Sequence, residues 1–420
     1  MGGPNLTSMA WRNLWRHRRR TGLTLSSIAF GTALAWLFTG LGDANWREMI
    51  DLAARMGGGH VTLQHAEYLD TPTLARTVTG TPDLAAIALA EPEVVRVVER
   101  ISGNLMIASA SRNYGAGFIA FDPESEDADT LSLLDAVEQG EPFRSGDPGG
   151  IVLGARLADN LHVGIGRKVV YTLADKHGEI VQEAVRVTGI LRTGAPTVDG
   201  ALALLPIEYV RRSLRYGPDE AVQVAVFLDD QRAADAVASR LGEAVAERVG
   251  GGVAALPWHA LQPELAGFIA MKVGGAWIME AIIMLLVAAG IFNTIFVGVM
   301  ERMREFGILR AIGWSPGQLG RLVITESALL AAAGIALGLL VTAGPYWYLN
   351  RVGFDLLGAM TGGQGAEVAG IAISTRMYVD IYPENALLIG GAALCATLLS
   401  GIYPAWKAGH VDPAETIRLV

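Results

Sequence analysis

Two carboxylates, Glu280 and Glu326, lie inside long apolar stretches of this 420-residue chain. A charge in hydrocarbon is costly, so such residues face a protein interior, a watery cavity or a partner charge. Glu326 follows Arg321 closely, which suits an interface or helix–helix position as well as a transport role. Glu280 lies near the start of its apolar run, where it could face a dimer cavity that admits a substrate headgroup; a structural role is the other reading. Asn293, in the same run, suits interhelical hydrogen bonding, with substrate contact as the alternative. Metal or hydrolytic chemistry has no such footing. The seven histidines show no HExxH spacing, Cys395 stands alone, and no GxSxG nucleophile elbow is present. His60 and His65 fall on opposite faces of a strand, as surface or structural histidines do. Gly57-Gly58-Gly59 reads as a turn between a helix and a strand. A Walker A loop ends in Gly-Lys followed by Ser or Thr. Lys168, Lys176, Lys272 and Lys407 are followed by Val, His, Val and Ala, so no such loop occurs in this sequence. The expectation is a chain that is not an enzyme, with no metal and no cofactor of its own.

The elements that must position these residues are membrane spans. The chain is 51% hydrophobic and 18% charged, with a mean hydropathy of +0.35. Soluble domains carry about 25% charged residues. The formal net charge of −9 also argues against a nucleic-acid partner. Crossing about 30 Å of hydrocarbon takes roughly 20 helical residues, and four runs qualify: 21–41, 273–300, 322–349 and 386–406. Arg12, Arg16, Arg18, Arg19 and Arg20 precede the first, and Arg302, Arg304, Arg310 and Arg321 follow the second. Lys407 and Arg418 follow the fourth, whereas residues 350–385 are acidic on balance. Positive charge marks the cytoplasmic side, so both termini are expected inside and residues 43–272 outside. The first run outlasts a signal-peptide core of about 7–15 residues and reads as an uncleaved anchor.

The fold class is therefore an α-helical membrane protein with four transmembrane helices, one plus three, and a large extracytoplasmic α+β domain. Residues 1–20 form an interfacial helix, 301–321 a cytoplasmic elbow, 350–385 an external loop and 407–420 a cytoplasmic tail. The domain carries 32 acids and 20 bases. Strands are expected over 60–64, 104–111, 115–121, 168–172, 184–190, 201–205 and 221–228. Helices are expected over 83–89, 156–161, 207–214 and 231–249. A division into two lobes falls near Gly146–Gly150. Small residues four apart, at Ser27/Gly31/Ala35, Gly334/Gly338 and Ala392/Ala396/Ser400, mark close helix contacts that include a dimer seam.

The elbow is the most informative segment. Met303, Phe306, Leu309 and Ile312 recur at helical spacing on one face. Gly313 stands where a left-handed helix stop belongs. Ser315, Pro316 and Gln318 then supply an N-cap, a first helical residue and the third member of a capping box. The pattern specifies a helix, a corner and a second helix. Asp412, Pro413 and Glu415 repeat it in the tail, after Pro404.

These residues bring a family into view. AWRNLWRHRRRTGLTLSSIAFG (10–31), ERMREFGILRAIGWSPGQL (301–319) and YPAWKAGHVDPAETIR (403–418) resemble FtsX-like permeases of ABC transporters, of the MacB and LolC/LolE type. IVLGARLADNLHVGIGRKVVYTL (151–173) and VTGILRTGAPTVDGALALLP (187–206) resemble that family's periplasmic core. The resemblance implies a subunit of the bacterial inner membrane, working as a dimer with a second copy or a paralogue. A LolD- or MacB-type ATPase subunit would bind the ATP and Mg. Coupling to it would fall on Arg302, Arg304, Glu305, Phe306, Gly307, Leu309, Arg310, Ile312 and Gly313, with Phe306 and Leu309 on the docking face. A periplasmic carrier or adaptor and membrane lipids are further implied partners. Lipoprotein release is the leading expectation. Efflux of another amphipathic substrate, or signal transduction to a cell-wall hydrolase, are the alternatives.

Overall fold

The computed structural model describes residues 6–16, 18–143, 149–355, 366–368, 371–373 and 376–411. They fall into two compact units. A membrane unit takes Met1–Asn45, Ala270–Phe354 and Arg376–Val420, and a domain unit takes Trp46–Ile269 and Asp355–Thr375.

Two helices open the chain, α1 (Leu6–Arg16) and α2 (Arg18–Met56). The apolar run ends at Leu41, but the helix does not, because residues 43–56 contain neither proline nor glycine. The glycine triplet stops it. Gly59 has φ +82, and a Cβ there would lie 2.6 Å from the Val226 carbonyl oxygen, so the turn needs glycine at that position. At 1.5 Å per residue the 39 residues of α2 reach about 58 Å, well beyond a hydrocarbon core of roughly 30 Å.

The domain unit follows, in β1 (Val61–His65), β2 (Val78–Thr79), α3 (Thr81–Leu89), β3 (Val94–Ala108), β4 (Asn113–Phe121), β5 (Val137–Gly140) and β6 (Gly150–Gly154). Next come α4 (Ala155–Leu161), β7 (Lys168–Ala174), β8 (Ile180–Leu191), α5 (Pro196–Ala201), β9 (Leu202–Pro206) and α6 (Ile207–Leu214). It closes with β10 (Glu220–Ala221), β11 (Gln223–Leu228), α7 (Ala234–Arg248), β12 (Val253–Pro257) and α8 (Trp258–Leu261). Strand order in the main sheet is β12-β1-β11-β3-β4-β9-β6-β8-β5, with β7 joining β3 to β8. That last pairing closes β3, β4, β9, β6, β8 and β7 into a ring.

Two lobes result, but they are nested and not consecutive. The ring is filled by Ile101, Leu105, Phe118, Leu153, Tyr171 and Val187. The other lobe is built from the two ends of the domain sequence. There β1, β11 and the first half of β3 pack Leu63, Val224 and Val226 against Leu84 of α3 and Leu241 of α7. The expected division near Gly146–Gly150 is therefore corrected: β3 belongs to both lobes, and Gly150 begins a strand inside the ring. Residues 144–148 lie outside the described residues. β3 also begins ten residues before the expected position, since its first half, with Val95 exposed and Arg96, Val97 and Glu99 only partly buried, lacks the alternation that marks a strand. The short all-buried strand β6 escaped notice for the same reason.

A fully buried Arg100 on β3 organises the face opposite α3 and α7. Its guanidinium holds both oxygens of the buried Glu126 carboxylate, donates to the Thr130 carbonyl at 2.7 Å and donates to the carbonyl of Gly57. The end of α2 is fastened beside it, with Ala54 packed against Val98, Ala225 and Phe227. His60 adds a second tie. The Leu228 amide donates to its Nδ1 at 3.0 Å, so the proton lies on Nε2, which donates to Asp51 of α2 at 3.0 Å.

The chain then forms α9 (Pro263–Glu301), α10 (Met303–Ala311) and α11 (Pro316–Arg351). A hairpin of β13 (Ala366–Val368) with β14 (Ile371–Ile373) and a last helix, α12 (Pro383–Gly409), complete it. Four of the helices are long and apolar enough to cross a membrane. α9 starts ten residues before the apolar run, with Pro263 at its first position and Glu264 in its first turn. The small residues mark contacts within this one chain. A Cβ on Gly31 would meet Val287 of α9 at 2.6 Å, and one on Gly334 would meet Ile28 of α2 at 2.6 Å. The Ser400 hydroxyl donates to the Ala288 carbonyl at 3.0 Å. Gly31, Gly334 and Ser400 thus pack inside the bundle of this one chain.

Removing one partner of a buried ion pair leaves the other unpaired. Arg100→Ala is expected to destabilise the full-length protein by about 3–5 kcal/mol, and Arg100→Met with Glu126→Leu to recover most of that. Thermal melts of the purified chain in detergent check both.

Candidate functional site at the elbow

The elbow is built as its sequence specified. Arg302 breaks the helical path after α9, with φ −102 and ψ 12, and α10 follows at once. Gly313 ends it at φ +105, while the Trp314 amide reaches back to the Leu309 carbonyl at 3.0 Å. The capping box is complete: the Gln318 amide donates to Ser315 Oγ at 3.2 Å, and the Ser315 amide donates to Gln318 Oε1 at 2.8 Å. Pro316 occupies the first position of α11.

One ion pair holds the corner. Arg302 Nη1 lies 2.9 and 3.2 Å from the two Glu326 oxygens, and both side chains are largely buried. Asn13 of α1 donates to Glu326 Oε1 at 2.8 Å. Arg302 also reaches Glu305 at 3.3 Å, and Arg16 of α1 reaches the same carboxylate at 3.0 Å. The guanidinium lies over the Phe306 ring, 5.1 Å from its centre. A cavity of about 60 Å³ beside the pair is lined by Thr21, Thr24, Thr294 and Ser327. Glu326 is thus a structural anchor whose acceptor sites face Arg302 and Asn13. The substrate or dimer contact allowed for it is replaced by this role.

The structure reverses the expected docking face. Phe306 is fully buried and Gly307 is buried, while Met303 and Leu309 pack with Ile295, Val299 and Leu319 in the bundle core. Phe306, fully buried, and Leu309, partly buried, turn toward the bundle and build the elbow. The outward stripe is Arg304, Ile308, Ala311 and Ile312, with Ile312 73% exposed just past the helix end. Periodicity alone marks an apolar face. It does not tell whether that face meets its own bundle or another chain. Arg310 turns inward and donates to the Trp314 carbonyl at 3.3 Å.

The remaining expected residues do not gather here. Glu280 is half-buried on α9, and Asn293 is exposed on the same helix. Pro404 is buried inside α12, whereas Asp412, Pro413 and Glu415 lie outside the described residues. Asp43, which sequence reasoning passed over, is buried at the other end of the membrane unit. It accepts from the Tyr382 amide at 3.0 Å and from Asn385 Nδ2 at 2.9 Å. Its only signal was its place directly after an apolar run. In the domain unit, perturbed groups have structural causes. Burial pushes the Tyr171 phenol up, against a hydrogen bond with Ser213. The Glu220 carboxyl is held down in spite of burial, by the Gly217 amide, Thr77 and Lys176.

Because Arg302 and Glu326 share one environment, their single losses are not additive. A double-mutant cycle with Arg302→Ala and Glu326→Ala is expected to give a coupling of about 1–3 kcal/mol. Thermal unfolding in detergent measures it, and a coupling near zero would contradict the anchoring role.

Two family models match the chain. A MacB-like periplasmic core domain covers residues 21–244, and an FtsX-like permease C-terminal domain covers residues 277–413. The chain is similar to the lipoprotein-releasing system transmembrane protein LolC of Xylella fastidiosa, 25% identical over 79% of this chain and 80% of that one. It is also similar to the pyoverdine export ATP-binding/permease protein PvdT of Pseudomonas aeruginosa, 25% identical over 97% of this chain and 58% of that one. Similarity to the ABC transporter permease YtrF of Bacillus subtilis is 29% identity over 36% of this chain, spanning 33% of that relative. With matches that together run from the first span through the elbow to the last, the chain belongs to the ABC transporter permeases that join a MacB-like periplasmic core domain to an FtsX-like permease domain.

Proposed function

We propose that the chain is the transmembrane subunit of a transporter in the bacterial inner membrane, with both termini cytoplasmic. A separate ATPase subunit pushes on the outward stripe of α10, and the domain between the first and second spans moves in response. The cargo proposed is a lipid-modified protein, or a comparable amphipathic molecule, drawn from the outer face of that membrane. A second copy or a paralogue completes the permease, and a soluble carrier outside receives the cargo.

The observation that carries this reading is the two-sided build of α10. Its inner face is fixed to the bundle through Phe306 and the Arg302–Glu326 pair, and its other face is bare. Force applied to a helix clamped in that way passes into α9 and α11, because the caps at Gly313 and Ser315 leave the corner little freedom to absorb it. α2 and α9 are the elements that run on from the membrane unit into the domain sequence. At the end of α2, Arg100 and His60 fasten the helix to the sheet, so displacement there is carried by hydrogen bonds as well as packing. The lipid-modified cargo rests on likeness to LolC over most of both chains.

Ile308→Asp and Ile312→Asp should each lower stimulation of the partner ATPase at least tenfold, with insertion and thermal stability of the permease unchanged. Nanodiscs holding the copurified complex provide the measurement. Wild-type stimulation in both variants would remove the proposed contact. Cargo is tested separately, by crosslinking in cells followed by detection of acyl-modified protein; recovery of a soluble cell-wall hydrolase in its place would favour the signalling alternative.

A further inference from the structure

The helix ends beyond the elbow leave a groove that none of the exposed α10 residues lines. The first turns of α11 and the last turns of α12 cross at small residues. A Cβ on Gly409 would lie 2.8 Å from the Pro316 carbonyl oxygen, and one on Gly320 would lie 3.6 Å from the Ala405 carbonyl oxygen. Beside this close crossing lies an open groove of about 570 Å³. Ile324, Ile402 and Trp406 wall this groove, and Leu6 of α1 borders it.

Its chemistry is divided. The walls are apolar, as a fatty acyl chain requires. At the rim stand Arg321 and His410, with the first turn of α11 beside them. Arg321 is exposed, and among the described residues no acidic side chain pairs with it. The positive end of the 36-residue α11 helix adds to its attraction for an anion. Trp406 is fixed as a wall by the His410 ring, 4.8 Å away, whose Nδ1 donates to the Trp406 carbonyl at 2.9 Å. Basic pockets between helices at a cytoplasmic surface take anionic lipid headgroups, and indole rings favour the same depth.

We infer that the groove seats an anionic phospholipid of the leaflet that holds the elbow, its acyl chain along Ile324 and Ile402 and its phosphate on Arg321. The lipid ties the second arm of the elbow to α12, so the corner is braced by the membrane as well as by protein. The inference rests on the proposed placement of the elbow at the cytoplasmic leaflet, but not on the ATPase. Loss of ATPase coupling and loss of lipid binding therefore register in different experiments.

Native mass spectrometry of the purified full-length chain, titrated with phosphatidylglycerol or phosphatidylethanolamine of matched acyl chains, tests it. Wild type should retain phosphatidylglycerol at several-fold higher occupancy than phosphatidylethanolamine. Arg321→Gln removes the charge. Gly317→Leu places a side chain where nothing lies within 4 Å and fills the groove. Each should reduce phosphatidylglycerol retention to the phosphatidylethanolamine level, whereas Arg351→Gln, at the other end of α11, should not. Equal retention of the two lipids by wild type would overturn the assignment, as would unchanged retention in both groove variants. So would a several-fold gain on deleting residues 412–420, which would name the tail as occupant.

Discussion

The elbow depends on the neutralisation of one carboxylate. Glu326 stands on a helix that is otherwise apolar over most of its length, and hydrocarbon offers no water to share its charge. Arg302 meets it at 2.9 Å, and Asn13 meets it at 2.8 Å. Each contact brings a different element to the same point. Arg302 lies at the break between α9 and α10, Asn13 on α1 and Glu326 on α11. Satisfying one charge therefore fixes four helices relative to each other. Desolvation limits what such a pair adds to stability. Its value is directional, since only one arrangement of the corner satisfies both groups.

The domain unit uses the same device at Arg100. A guanidinium carries five donors in a rigid fork, so a single side chain can satisfy a carboxylate and two carbonyls together. Arg100 does so for Glu126, Thr130 and Gly57, and thereby links a strand, a loop and the turn that ends α2. A lysine at either site could supply the charge without the geometry. Twenty-nine arginines against four lysines is a bias of the whole chain and carries no functional weight by itself. At Arg100 and Arg302 the fork is what the contacts require.

Much of this plan was legible from residue types. Four spans, the helix–corner–helix of the elbow and the turn at the glycine triplet follow from length, caps and glycine placement, each a local signal. Non-local facts were not legible. The apolar stripe of α10 was read as a docking face, because spacing reports a buried side without naming its neighbour. Phe306 lies against its own bundle. The lobes were divided at a glycine-rich stretch, yet β3 passes through both, and strand pairing across the domain leaves little trace in a single sequence. Helix ends were misplaced wherever hydropathy fell before helicity did, as at residues 43–56 of α2. Nothing local sets Arg100 and Asp43 apart from other charges, because their partners Glu126, Thr130, Tyr382 and Asn385 are distant in sequence.

The bare stripe of α10 is better suited to a protein than to lipid. An interfacial helix separates its faces, with apolar residues toward acyl chains and basic ones toward water. On α10 the apolar residues Met303, Phe306 and Leu309 already face the bundle. What remains, Arg304, Ile308, Ala311 and Ile312, mixes a cation with aliphatic carbon on a single strip. Lipid would satisfy Ile308 and leave Arg304 poorly placed. Water would do the reverse. A protein groove with an apolar floor and an acidic rim satisfies both, since contact surfaces combine a hydrophobic centre with polar edges. The strip is also small, so the energy of any contact must fall on a few side chains. Ile308 and Ile312 are the large apolar groups available, and their rigid mounting means that little order has to be imposed when a partner arrives.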